Sequence, residues 1–140
     1  MLLACPAQAQ TIEIKPCGDA DRVDTIAEPW ERNIAAYADG NIRVALLDMV
    51  EPAGGAWKLA VISPPRDELG LPQCRVVGAD GMGFYSLDFA ARQASYDPAR
   101  GLTLTMPARR YDEIAPDGGH DHLSVTINQQ TGQIAAQALK

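Results

Sequence analysis

The sequence lacks the features that would place it in a membrane or on a nucleic acid. No apolar run approaches the roughly 20 residues of a membrane-spanning helix, so we predict no transmembrane span. The chain carries 12 basic and 18 acidic residues, and its densest basic spot is the pair Arg109-Arg110. Because a net charge of −6 repels a polyanion, we expect nucleic acid not to be a partner.

Motifs of the common catalytic classes are missing as well. None of the serines lies in a GxSxG context, and the glycines around Met82 do not form a GxGxxG or GKS/GKT phosphate loop. The three cysteines contain no CxxC pair. Carboxylate pairs can always be drawn from 18 acidic residues, so their number discriminates nothing. We therefore expect a protein that is not an enzyme.

The first ten residues, MLLACPAQAQ, are uncharged and allow three interpretations. Leu2-Leu3-Ala4 followed by Ala7-Gln8-Ala9 is typical of the end of a secretory signal peptide with its small-residue cleavage site. Alternatively, Leu2–Cys5 is a lipobox whose Cys5 is acylated, or the segment is an ordinary flexible N-terminus. We favour the first interpretation: residues 1–9 are a signal-peptide remnant, and residues 10–140 form one exported domain, periplasmic or secreted.

Cysteine usage supports export. Once Cys5 is removed or acylated, Cys17 and Cys74 remain, an even number suited to one disulfide in an oxidising compartment. The alternative is a pair of free buried thiols in a cytosolic protein. We favour the disulfide and, with it, the exported location.

Strand signals dominate after residue 30. Asp39-Gly40 predicts a hairpin between the arms 32–37 and 42–50, and the second arm is apolar on both faces, as in a strand inside a sheet. A short strand is expected in QCRVVG at 73–78. Strict alternation of apolar and polar residues predicts the remaining strands, at 57–61, 102–106, 123–128 and 133–139.

One helix is expected, at about 87–95, where Leu87, Ala90, Ala91 and Ala94 form an apolar stripe behind a Ser86 N-cap. The fold class is therefore mainly β. We expect an antiparallel sandwich or partly open barrel of six to seven strands with this one short helix, stapled by one disulfide.

Several segments together resemble a group of small exported proteins of Gram-negative bacteria. They are Glu28-Pro29-Trp30, RVALLD at 43–48, Ser63-Pro64-Pro65 with Asp67–Gly70, QCRVV at 73–77 and YDPARGL at 96–102. The similarity spans most of the chain from Cys17 to the C-terminal hairpin. It implies secretion and a Cys17–Cys74 bridge, and it implies no activity, since none is known for the group.

Both histidines of the chain lie in Gly118–His122. On a strand, positions i and i+2 face the same side, so His120 and His122 could chelate one copper or zinc ion, with Asp117 or Asp112 as a third ligand. The alternative is an exposed loop whose histidines are merely polar. We expect no cofactor and keep copper or zinc binding as the second hypothesis.

A second group of polar residues, Arg109, Arg110 and Tyr111, could contact an anion or a carboxylate of a partner. The alternative is an exposed strand end.

These observations together favour an exported, non-enzymatic binding or interaction module of the periplasm or cell envelope. Its partner would be a protein, an envelope component or a small ligand, and the alternative function is a periplasmic copper- or zinc-binding protein. The sequence does not indicate an oligomeric state.

Overall fold

The computed structural model describes residues 12–111 and 121–139. These residues form two antiparallel five-stranded sheets, A and B, which share one apolar interior as a sandwich. The expected mainly β, antiparallel sandwich is thus confirmed, with ten strands in place of six or seven.

Sheet A has the strand order β1-β5-β4-β3-β2. Its strands are β1 (Ile12–Pro16), β2 (Ile34–Tyr37), β3 (Ile42–Asp48), β4 (Trp57–Arg66) and β5 (Pro72–Ala79). The predicted hairpin at Asp39-Gly40 joins β2 to β3, and both residues have a positive φ, 56° and 85°. Glycine adopts this conformation without strain, which is why the Asp-Gly pair marks the turn.

Sheet B has the order β10-β9-β8, and β6 and β7 both pair with the other edge of β8. Its strands are β6 (Ser86–Leu87), β7 (Gln93–Asp97), β8 (Gly101–Arg109), β9 (Asp121–Ile127) and β10 (Ile134–Leu139). The alternating runs predicted as strands at 102–106 and 123–128 are confirmed as parts of β8 and β9.

The prediction of a helix at about 87–95 is wrong. Leu87 ends β6, Phe89–Ala91 form a single 3₁₀ turn, and Gln93 begins β7. Leu87 and Phe89 point into the interior with 7% and 1% exposure, so the apolar period here is two residues rather than 3.6. The α-helix among the described residues is α1, Trp30–Asn33; no helix of that part of the chain is long and apolar enough to cross a membrane.

The interior lies between the inner faces of the two sheets. Its fully enclosed side chains come from the central strands of both layers, with Leu59 and Val61 from β4 and Leu104 and Val125 from β8 and β9. At one margin the layers are tied by Arg92, whose Nε donates to the Tyr37 hydroxyl at 2.9 Å and whose guanidinium lies 4.2 Å from the Phe89 ring centroid.

The outer face of sheet A is partly covered by residues 17–26, here called the crossing segment. It leaves β1 at one edge of the sheet and reaches the far side of β3, where Ile26 pairs with Leu47. Beneath it, Leu47, Ala60 and Val76 form a second buried apolar cluster. The predicted disulfide is confirmed: Cys17 is bonded to Cys74 of β5, which fixes the start of the crossing segment to the sheet.

Loss of this disulfide should lower the free energy of unfolding. The bridge joins residues 57 apart in sequence, and chain entropy gives about 4 kcal/mol for a closed loop of that length. Urea unfolding of the Cys17→Ser, Cys74→Ser double variant would measure the loss, with Cys5→Ser as the control that leaves the pair intact. Equal unfolding midpoints for the wild type and the double variant would contradict the expectation.

Substitution of Gly101 should be far more costly than substitution of Gly70. Both have a positive φ, but a Cβ at Gly101 would overlap the Ile127 carbonyl oxygen, whereas nothing lies within 4 Å of a Cβ at Gly70. The φ strain is common to both, so Gly101→Ala should cost about 1–3 kcal/mol more than Gly70→Ala. Thermal unfolding of the two variants measures the difference, and equal losses would refute the role of the close approach to β9.

Candidate functional site

The crossing segment leaves part of the outer face of sheet A uncovered. Register places Ile34, Ala45 and Ala60 side by side across β2, β3 and β4 on this face. The next row along the strands contains Ala36, Arg43 and Ile62 in the same three strands. Because the small side chains lie between larger ones, the surface is a trough rather than a flat sheet face.

This trough, here called the apolar groove, has a volume of about 420 Å³. Its lining residues are Ile26, Ile34, Ala35, Ala36, Arg43, Val44, Ala45, Ala60 and Ile62. The outward-facing alanines, Ala36, Ala45 and Ala60, form the floor, and isoleucines from the crossing segment, β2 and β4 surround it. Ile34 is 44% exposed, so the groove presents aliphatic surface to solvent. Its volume falls in the range of about 300–1,000 Å³ that is typical of ligand sites.

Arg43 is the one charged residue of that lining. Its side chain is exposed, and it makes no ion pair with any residue in 12–111 or 121–139. A guanidinium presents N–H donors in a planar fork and no acceptor, so Arg43 can bind an anion. Beside apolar side chains its field is screened less than it would be in bulk water.

A smaller cavity of about 230 Å³ lies on the same face near the β1 edge. Lys15 and Lys58 line it together with Glu13 and Asp21, and Lys15 pairs with Glu13 at 3.3 Å. Two cations are therefore balanced by two carboxylates. The formal charge of this lining is therefore zero.

The hairpin tip between β4 and β5 presents a second apolar surface. Leu69 and Leu71 are 86% and 60% exposed there. The tip is nevertheless ordered, because Asp67 Oδ1 accepts from the backbone N–H groups of Leu69 and Leu71 at 2.9 and 3.0 Å. Arg66 Nη1 also donates to the Gly70 carbonyl at 2.7 Å. The two leucines are thus held outward on a fixed backbone.

The predicted contact residues Arg109, Arg110 and Tyr111 lie at the end of β8. Arg110 Nη2 is 2.9 Å from Asp121 Oδ2 of β9, and both side chains are only 13% exposed. The Tyr111 ring is 6.4 Å from that of Tyr85. Arg110 therefore has a carboxylate partner within the chain, and the contact with an external anion or partner stays a prediction.

The predicted metal site falls mostly outside the described residues, since His120, Asp117 and Asp112 are not among them. His122 lies on β9 with an exposed side chain, opposite Pro107 and Leu139. Among the residues that the structure describes, no group of three or more His, Cys, Asp or Glu side chains could hold a metal ion. Copper or zinc binding stays a prediction.

Comparisons with protein-family models, with curated proteins and with solved structures found no match. The resemblance to small exported proteins of Gram-negative bacteria therefore also stays a prediction. Of the two cavities on the outer face of sheet A, the apolar groove is the larger.

The ion pair of Arg110 and Asp121 should contribute measurably to stability, unlike the exposed pair of Arg22 and Asp24. Both pairs have an N–O distance of 2.9 Å, but the side chains of the second pair are 70% and 65% exposed. We expect Asp121→Asn to cost about 1.5–3 kcal/mol, as for a charge-assisted hydrogen bond away from water. The matched change Asp24→Asn should cost about 0–1 kcal/mol, because solvent screens an exposed pair. Urea unfolding of both variants tests this, and similar losses would contradict it.

Proposed function

We propose that this protein is an exported, non-enzymatic binding module of the periplasm or cell envelope, and that the apolar groove is its ligand site. The main support for this proposal is the apolar groove itself. Contiguous exposed apolar surface that is shaped into a concavity is typical of binding sites, because it is costly to keep in water unless something covers it.

The position of the groove in the fold supports a binding role. Its floor and two of its walls belong to β2, β3 and β4, which are held in register by backbone hydrogen bonds. The third wall, Ile26, is fixed by its pairing with Leu47. Since these elements are already ordered, a ligand would pay little conformational entropy for ordering the site.

Two further observations support export and the absence of catalysis. The Cys17–Cys74 disulfide is typical of oxidising compartments such as the periplasm and the cell exterior, and MLLACPAQAQ matches the end of a signal peptide. The lining of the groove offers no nucleophile and no group that exchanges protons near neutral pH. Its chemistry favours holding a ligand rather than converting one.

A neutral, solvatochromic dye such as Nile red tests the groove. We expect saturable fluorescence enhancement with the wild type and a loss of at least about fivefold in affinity with Ala45→Gln, which places a longer polar side chain on the floor. Ala135→Gln is the matched control, because Ala135 is an exposed alanine of β10 outside the groove. Urea unfolding would confirm that both variants fold.

The proposal fails if the wild type gives no saturable enhancement. It also fails if Ala45→Gln and Ala135→Gln bind the dye equally well, because the dye would then occupy another surface.

A further inference from the structure

We infer that the ligand of the apolar groove is a small aliphatic anion: an unbranched hydrocarbon chain with a carboxylate head that pairs with Arg43. The inference rests on the proposed function and adds to it the chemical class of the ligand. Three features of the groove lead to it: the shape of the floor, the isolated charge, and the direction in which the groove lies relative to the edge of the sheet.

The floor fits a narrow aliphatic chain. Ala45 and Ala60 are neighbours across β3 and β4, and the Ile34 side chain closes the row at β2. Ile62 and Ile26 lie on opposite sides of this row along the strands, since Ile62 pairs with Arg43 and Ile26 with Leu47. All of these side chains are aliphatic, and the lining contains no aromatic ring on which a planar ligand would stack. A methylene chain can follow such a trough and bury its surface along it.

The charge selects the head group. Arg43 lies between Ala36 and Ile62 in its row, so its guanidinium emerges from aliphatic neighbours at the rim of the floor. The protein as a whole has a net charge of −6, yet the charged residue placed in the groove is a cation without an ion-pair partner in the described ranges. A guanidinium matches a carboxylate in a two-pronged pair. Because the lining carries one cation, we expect the ligand to carry one anionic group.

The direction of the groove favours a small ligand over an added strand of a partner protein. A strand added to sheet A at this side would pair with the free edge of β2, beyond Ile34. The groove extends the other way, from β2 over β3 to Ala60 of β4. An added strand would therefore lie beside the groove and leave its floor open.

Chain length gives a quantitative expectation. A fully buried methylene strengthens binding about fourfold, and a half-buried one about twofold. In an open groove the affinity for hexanoate, octanoate and decanoate should therefore rise by about two- to fourfold per added methylene. The rise should stop once the chain exceeds the floor.

The test uses decanoate, decanol and decylammonium as competitors of Nile red, each below the concentration at which it forms micelles. With the wild-type protein we expect decanoate to compete best, decanol about fivefold less well, and decylammonium least. In Arg43→Gln, decanoate and decanol should compete equally. Arg100→Gln is the control, because Arg100 is an exposed arginine of the β7–β8 turn in sheet B that does not line the groove, and it should behave as the wild type.

The outcomes separate the ligand class from the function itself. Equal competition by decanoate and decanol in the wild type, or an unchanged affinity for decanoate in Arg43→Gln, overturns the anionic head group. If Nile red binds the groove and none of the three compounds displaces it, the inference of a small amphiphilic ligand is overturned. The proposed function then survives with a partner of another kind. If the wild type shows no saturable binding of Nile red, both the ligand class and the proposed function are contradicted.

Discussion

Sheet A presents apolar side chains on both faces, although its outer face also carries Lys15, Lys58 and Arg43, and the arrangement of the layers follows from the need to cover that apolar surface. Sheet B covers the inner face, where Leu59 and Val61 are completely enclosed. Among the described residues no second sheet lies on the outer face, and the crossing segment packs against Leu47 and Val76 through Cys17 and Ile26. Its two ends, Cys17 and Ile26, pack on β5 and β3. The part of the outer face beyond Ile26, towards β2, is the apolar groove.

This arrangement explains why a stable fold can present an aliphatic site. Most of the stabilising burial lies in the interior and in the cluster under the crossing segment, and the groove shares only a few residues with them, among them Val44 and Ala60. Alanines in the groove limit the apolar area left in water, since each exposes far less surface than a leucine would. The fold thus tolerates the open groove at modest cost, and Arg43 adds solubility at its rim.

How far the sequence could predict the fold depended on whether a strand has one buried face. β8 and β9 bury Leu104 and Val125 on the inner face and alternate them with polar residues on the other face, so strict alternation revealed them. In β7 all five residues are exposed, and no hydrophobic period marks the strand. The stripe of alanines that suggested a helix there is mostly solvent-exposed, and helix propensity alone did not outweigh pairing with β8.

The candidate site was harder to predict for a different reason. Its residues come from three strands and the crossing segment, and only the register of β2, β3 and β4 brings Ile34, Ala45 and Ala60 together. One signal was present: the run IRVALLD places Ala45 and Leu47, beside Arg43, on the face that does not enter the interior. A sheet position that is aliphatic without being part of the core indicates either a second cover or a binding surface, and here both occur along one strand.

The disulfide has a consequence beyond the stability of the folded chain. β1 has five residues, and it is the strand that covers the outer edge of β5. If β1 detached, the backbone groups of β5 beside Val76 and Val77 would be left as an unpaired edge, which is a template for pairing with other chains. Cys17 holds the end of β1 against Cys74 and keeps that edge closed. The bridge therefore also guards against aggregation, and a reducing environment would cost the protein colloidal stability as well as folding free energy.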